Sequence, residues 1–315
     1  MIINIIIFII ISFITMFMKL REWIDISKLK YRMLSLNINA IDILKENINK
    51  LDWSNISLNV GVIELIKDNL HRISWFNLSS NLNAISILKE HPEKINWINL
   101  SSNPNAIFIL KEHPEKINWI NLSSNPNVIS LLKEHPEKID WDELSLNPNA
   151  IELLKEHPEK INWDELSLNP NAISILKEHP EKINWINWIN LSSNPNAIEL
   201  FKENIHNIDW DELSGNPNAI ELLKEHPEYI NWDELSGNSG AIELLKENQD
   251  KIYWNEFSTN PSIFIYDYEK IKERFSELGE EIIAKALHPK RIFRLIEEYG
   301  EDGEDEIYNI YFDDD

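Results

Sequence analysis

The sequence predicts an all-α solenoid built from tandem 22-residue units, each with one regular helix and one short helix. Tryptophan recurs every 22 residues from Trp53 to Trp185 and again from Trp188 to Trp254. Within each unit, apolar residues follow the i, i+3, i+4 spacing of an amphipathic helix. Helices this short are unstable alone in water, so each unit must bury its apolar face against its neighbours.

The unit at residues 147–168 shows how each element is predicted. Asn147 is a favoured N-cap residue and a proline follows it, so a three-turn helix is expected to begin there. This helix should end near His157, because a residue before proline avoids the α region. A second helix of one or two turns should begin after Asn162, where Glu165 completes a capping-box pattern.

The repeats divide the chain into five segments. Ten copies of the Asn-to-Trp segment can be traced, and they predict an open rod or superhelix on the order of 100 Å long. Terminal units that differ from the middle are expected to cap such a stack. The segments are an apolar N-terminal stretch (1–18), an N-terminal cap (19–36), the repeats (37–259), a C-terminal helical cap (260–300) and an acidic tail (301–315).

The apolar stretch 1–18 has two interpretations, which the sequence leaves open. Its length is at the short end of what crosses a bilayer, and Lys19 and Arg21 after it would keep the repeats on the cytosolic side. Alternatively the start codon is assigned too early, and translation begins at Met16 or Met18. The first interpretation predicts a membrane anchor and the second predicts none.

Composition excludes several classes of function. The formal net charge of -23 repels polyphosphate, and no stripe of Lys and Arg is present, so nucleic acid is not an expected partner. The chain has no cysteine and therefore no disulfide or thiol chemistry. No serine-histidine-aspartate signature, glycine-rich phosphate loop or HExxH motif is present, so we expect neither an enzyme nor a cofactor.

Three repeated residue types invite a chemical interpretation, but a structural one is favoured for each. The histidines before proline lie a whole unit apart, whereas a zinc site needs three or four ligands around one ion. The tryptophans recur with the apolar residues and are expected to pack between units. The asparagines at the unit boundaries are interpreted as caps. The histidines are His91, His113, His135, His157, His179 and His226.

The two residues that follow each tryptophan form the candidate partner-binding edge. They are Ile-Asn in some units and Asp-Glu in others, so the edge changes from partly apolar to acidic along the stack. Variable positions on a constant scaffold are typical of a binding surface, although neutral drift between duplicated units explains the variation equally well. The residues are Ile98, Asn99, Ile120, Asn121, Asp142, Glu143, Asp164, Glu165, Asp211, Glu212, Asp233 and Glu234.

The segments SSNPNAI, LLKEHPEKINW and AKALHPKRI resemble uncharacterised tandem-repeat proteins of mimivirus-like giant DNA viruses of protists. The resemblance covers residues 23–299. The alternation of a regular and a short helix is also similar in architecture to leucine-rich-variant repeats. The viral resemblance implies a virus-encoded protein that acts in the host cytoplasm or in the virion, and it carries over no catalytic residue.

These observations predict a non-catalytic protein-protein interaction scaffold that binds a host or viral protein along the solenoid. A basic partner is favoured, because complementary charge steers association. The alternative is a membrane-tethered or virion structural protein whose role depends on residues 1–18 and on self-association.

Overall fold

The structure is a computed structural model that describes residues 17–274 and 276. The chain forms two compact units, one of residues 20–265 and one of residues 1–19 with 266–315. Most of the predicted apolar stretch, most of the predicted C-terminal helical cap and all of the acidic tail lie outside the described residues. Within the described part of the chain, no helix has both the length and the apolar character needed to cross a bilayer.

The repeats of residues 20–265 alternate two kinds of short α-helix, and the prediction of an all-α repeat solenoid is confirmed. The helices that begin at the tryptophan position are called B helices, and those that begin at an isoleucine are called A helices. The B helices are Tyr31–Leu34, Trp53–Leu58, Trp75–Leu78, Trp97–Ser102, Trp119–Ser123, Trp141–Leu146, Trp163–Leu168, Trp185–Ser193, Trp210–Gly215, Trp232–Gly237 and Trp254–Thr259. The A helices are Ile41–Glu46, Ile63–Lys67, Ile85–Glu90, Ile107–Glu112, Ile129–Glu134, Ile151–Glu156, Ile173–Glu178, Ile198–Phe201, Ile220–Glu225 and Ile242–Glu247.

Turns of 3-10 helix connect many of these helices, and most of them begin at a proline, whose fixed φ suits the first position of a turn. The turns are Ile26–Lys28, Ile48–Lys50, Val60–Val62, Pro92–Lys94, Pro114–Lys116, Pro136–Lys138, Pro158–Lys160, Pro180–Lys182, Ile205–Asn207, Pro227–Tyr229, Ser239–Ala241, Gln249–Lys251 and Pro261–Ile263.

The start of the first helix in each unit was predicted wrongly. The A helix Ile151–Glu156 begins four residues after Asn147 and spans six residues, which is fewer than two turns. Asn147 instead ends the preceding B helix, and its side-chain oxygen accepts from the N–H of Asn149 at 3.0 Å. An asparagine that bonds two residues ahead forms an Asx turn, which mimics a backbone turn.

The start of the B helix was predicted correctly, but the capping box was not. Asn162 is the N-cap, and its side chain accepts from the N–H groups of Asp164 and Glu165. The reciprocal donor is already engaged, because the N–H of Asn162 donates to Oγ of Ser145 in the previous unit at 3.1 Å. The contact between units therefore replaces the local bond.

A buried leucine and alanine core lies between the A and B helices. In the unit at 147–168, Ala150, Leu154 and Leu166 are fully buried and Leu153 is nearly so. Burying a leucine contributes about 1.5–3 kcal/mol relative to leaving it exposed. Because each six-residue helix has little stability of its own, this packing and the contacts between units hold the array together.

Buried asparagines form a ladder that connects neighbouring units. Nδ2 of Asn147 donates to the backbone oxygens of Ser123 at 2.9 Å and Asn125 at 2.8 Å, both in the previous unit. With the bond from Asn149, both amide hydrogens and the amide oxygen have partners, so the buried side chain is satisfied. Among the described residues the ladder has eleven members: Asn37, Asn59, Asn81, Asn103, Asn125, Asn147, Asn169, Asn194, Asn216, Asn238 and Asn260.

The ladder has no free end, because the first unit bonds to the last. Nδ2 of Asn37 donates to the backbone oxygens of Ser258 at 3.1 Å and Asn260 at 2.9 Å. The N–H of Lys30 donates to Oγ of Ser258 at 2.9 Å, as equivalent residues do between other neighbours. The B helix Tyr31–Leu34 likewise packs against the B helix Trp254–Thr259. The unit of residues 20–265 is therefore a closed ring and not the open rod that the sequence predicted.

The two ends of the ring together build an eleventh unit. Residues 26–36 supply its 3-10 turn and B helix, and Pro261–Ile263 supplies the turn after the ladder asparagine. The A helix is missing from this described unit, where strands β1 (Met18–Leu20) and β2 (Phe264–Tyr266) pair instead. The N–H of Arg21 donates to the oxygen of Ile263 at 3.0 Å, which continues the pairing.

The three-residue insertion near residue 185 lengthens one B helix without breaking the ladder. Trp185–Ser193 has nine residues, and Asn194 still donates to the oxygens of Ser167 and Asn169. The inserted Asn187 is fully buried, and its Nδ2 donates to Oγ of Ser167 at 3.0 Å. Asn187 thus replaces the backbone donor that the insertion moves away from that serine.

Candidate protein-interaction surface

The B helices form the inner wall of the ring. The most extensive helix contacts between neighbouring units are between B helices. Elements on the inner circumference of a ring lie closer together than those outside, so the A helices form the outer layer. The residue directly after each B-helix tryptophan lies opposite the buried leucine and faces away from the A layer. In five consecutive units this residue is Phe76, Ile98, Ile120, Asp142 and Asp164, and we call these five residues the inner row.

The first part of the inner row is apolar and exposed. Phe76, Ile98 and Ile120 are 58%, 51% and 55% exposed and belong to three neighbouring units. Single exposed apolar residues are ordinary on a protein surface, whereas a contiguous set marks a contact site. The isoleucines were part of the predicted edge.

One asparagine of the predicted edge, Asn99, stabilises the ring through its side chain. Nδ2 of Asn99 donates to the backbone oxygen of Phe76 in the previous unit at 2.8 Å. The bonds of Asn121 are made by its backbone: its N–H donates to Oδ1 of Asn118, and its backbone oxygen accepts from Oγ of Ser124. Asn99 therefore contributes to a second set of bonds between units, where the sequence analysis placed a binding residue.

The second part of the inner row is acidic. Asp142 accepts from Nδ2 of Asn162 at 3.0 Å, and Asp164 accepts from Nδ2 of Asn187 at 3.0 Å. Each of these bonds crosses to the next unit. The residue after each aspartate is a glutamate, Glu143 or Glu165, so four carboxylates lie on two neighbouring units.

Burial and neighbouring charges shift the pKa of one of these carboxylates, Glu165. Burial raises the pKa of Glu165 above 4.5, and the charges of Glu143, Asp142 and Asp164 add to the effect. Both causes disfavour the charged form. A Lys or Arg of a bound partner would relieve this repulsion.

A second acidic stretch lies further round the ring. Asp211 accepts from Nδ2 of Asn231 at 2.9 Å, and one carboxylate oxygen of Asp233 is buried with no hydrogen-bond partner. Burial raises the pKa of Glu212, and the charges of Asp209, Glu234 and Asp211 raise it further. The predicted residues Asp211, Glu212, Asp233 and Glu234 are thus brought together.

Two members of this surface were not predicted from the sequence. Phe76 follows Trp75 as Ile98 follows Trp97, and the shared position was the available signal. Glu256 holds the position of Glu234 in the next unit; burial raises its pKa, and the charge of Asp233 adds to this. It was overlooked because asparagine, not aspartate, precedes it.

The repeated histidines contact tryptophans. The rings of Trp141 and His157 lie 5.0 Å apart with an interplanar angle of 68°, and the same edge-on contact recurs between neighbouring units. The tryptophans in these contacts are half-buried and pack across the unit boundary, as expected, whereas Trp185 in the lengthened B helix is 72% exposed. Within residues 17–274 and 276, no three His, Asp or Glu side chains come together as metal ligands.

Comparison with known proteins adds no functional assignment, since no protein family, curated protein or solved structure matches this chain.

Proposed function

We propose that the chain is a non-catalytic protein-interaction scaffold that binds a partner protein along the inner wall of its ring. The observation that carries this proposal is the inner row, which presents exposed apolar residues and then crowded carboxylates on five neighbouring units. Apolar anchors supply binding energy, and the charges supply orientation and faster association.

A basic partner fits this surface best. The carboxylates of Asp142, Glu143, Asp164 and Glu165 have no Lys or Arg among the ion pairs of the described residues. Complementary charge on a partner would therefore be gained without breaking an internal ion pair. The resemblance to giant-virus repeat proteins supports a host or viral protein as this partner.

Quantitative affinity purification from the native cell tests the proposal. The chain carries a C-terminal tag so that either start codon is captured. The wild type should recover one dominant partner whose yield falls with salt, and reversing the charges of Asp142, Glu143, Asp164 and Glu165 to Lys should reduce that yield at least tenfold.

The matched control places lysines on the outer layer at Glu152 and Glu156, which are exposed on an A helix. This variant should retain the partner, and circular dichroism should show both variants folded. Equal yields from the wild type and the inner-wall variant would refute the proposal.

A further inference from the structure

Resting on the proposed function, we infer that the inner row binds an extended segment of the partner protein. The segment carries apolar residues at one end and Lys or Arg at the other. Phe76, Ile98 and Ile120 contact the apolar end, and the carboxylates of the Asp142 and Asp164 units contact the basic end.

The size of the ring excludes a folded domain from the inner wall. Eleven B helices at ~8–10 Å spacing place opposite helix axes roughly 30 Å apart. Subtracting one helix diameter of ~11 Å leaves an opening of roughly 20 Å. A 100-residue domain has a radius of gyration of about 13 Å and is too wide to enter. A single chain segment fits.

The curvature of the wall selects an extended segment over a helix. A full turn shared by eleven units rotates the row by about 33° per unit, and therefore by about 130° from Phe76 to Asp164. A straight helix would contact one or two units and leave the others. An extended chain bends at every residue and follows the row, so it reaches both the apolar and the acidic part.

The charge pattern fixes the two ends of the segment. The apolar residues occupy three consecutive units, and the acidic pairs occupy the next two. The carboxylates around Glu165 repel one another, so cationic side chains placed there gain more than at an isolated surface charge. Cationic side chains at the apolar end would find no carboxylate at the row position of Phe76, Ile98 or Ile120.

Peptide selection on the purified full chain tests this inference directly. At the wall radius of ~10 Å the row spans roughly 23 Å, which an extended chain of about seven residues covers at ~3.3 Å per residue. The probe is therefore a random library of peptides of that length displayed on phage. Selected peptides should carry apolar residues at one end and Lys or Arg at the other, and they should remain non-helical by circular dichroism when bound.

Two variants locate the site. Changing Ile98 and Ile120 together to Asp should weaken binding of the synthesised peptide at least tenfold. Phe108→Asp is the matched control, because Phe108 is 72% exposed on an A helix and lies outside the inner row. The affinity of this variant for the peptide should equal that of the wild type. These side chains are exposed, so both variants should fold.

The inference is overturned if no peptide is enriched, if enriched peptides bind both variants equally, or if they bind as helices. If the charge-reversal variant loses the native partner while the peptide experiment gives any of these three results, the scaffold proposal stands and only the extended-segment inference is overturned. Failure of both experiments would remove both.

Discussion

Because the ring is closed, the first ladder asparagine should contribute as much to the free energy of unfolding as an asparagine in the middle of the ladder. Asn37→Ala removes two donated bonds of 3.1 and 2.9 Å and one accepted bond of 3.0 Å, all at a buried side chain. Each hydrogen bond contributes about 1 kcal/mol net. The variant should therefore lose about 3 kcal/mol of unfolding free energy, because the last unit supplies both acceptors.

Asn147→Ala is the internal standard for this measurement. Its side chain makes the same three bonds, two donated to the preceding unit at 2.9 and 2.8 Å and one accepted from the N–H of Asn149 at 3.0 Å, so its loss should also be about 3 kcal/mol. Asn149→Ala serves as the mild control, because that exposed amide donates one bond to the oxygen of Pro126. Its loss should be about 1 kcal/mol or less.

Urea unfolding followed by tryptophan fluorescence gives the three free energies. Hydrogen exchange supplies a local readout, since the amide of Asn39 donates to Asn37 and should lose protection in Asn37→Ala. In an open rod Asn37 would lie in a terminal unit without these acceptors. A loss below about 1 kcal/mol for Asn37→Ala, beside about 3 for Asn147→Ala, would refute ring closure.

Three further changes test the local chemistry. Glu165→Gln should raise the urea midpoint at pH 7 and have no effect near pH 3. The raised pKa of Glu165 means that the folded state binds a proton more tightly than the unfolded state does. The stability that this proton contributes to the wild type is therefore lost as pH rises above 4.5. Gly61→Ala should destabilise the ring by about 1–3 kcal/mol, because a Cβ there would lie 2.6 Å from the backbone oxygen of Ile38. Asn187→Leu should lower the free energy of unfolding by about 2–3 kcal/mol, because Ser167 and Asp164 lose the hydrogen bonds that Nδ2 of Asn187 donates. Deleting residues 185–187 should lower it less, because the 22-residue register of the other units returns.

Each of these changes has a control with a definite outcome. Glu134→Gln on the outer layer should leave the urea midpoint unchanged at both pH values, and a shift equal to that of Glu165→Gln would remove the role of burial and crowding. Gly215→Ala should be tolerated, because the nearest atom to its Cβ is a side-chain oxygen 3.7 Å away. A deletion more damaging than Asn187→Leu would show that the ring needs the insertion.

Much of the candidate site followed from the repeat period. Equivalent positions in a repeat occupy equivalent places in the fold, so the period predicts that the pairs after each tryptophan recur from unit to unit. Their individual roles did not follow, because they depend on the neighbouring unit. Asn99 donates to the carbonyl of Phe76, whereas Glu143 and Glu165 at the same position have no amide hydrogen to donate.

The helix starts also divide into those that local sequence predicts and those that depend on the neighbouring unit. Asn162 was recognised as an N-cap because capping is a local bond within three residues. Asn147 was misplaced because its amide is held by carbonyls of Ser123 and Asn125, which are distant in sequence. A cap and a ladder residue use the same amino acid, and only the position of the acceptors distinguishes them.

By itself, the sequence determined the repeat period, the alternation of two short helices and the buried alanine and leucine core, because all three depend on local spacing and propensity. Only the tertiary structure decided that the array closes. Closure depends on a rotation of about 33° per unit, and a small local error accumulates over eleven units. The sequence contained a clue, because the first and last units both have the ladder asparagine, Asn37 and Asn260, which the terminal units of an open stack would not need. Its meaning required the two ends to be seen in contact.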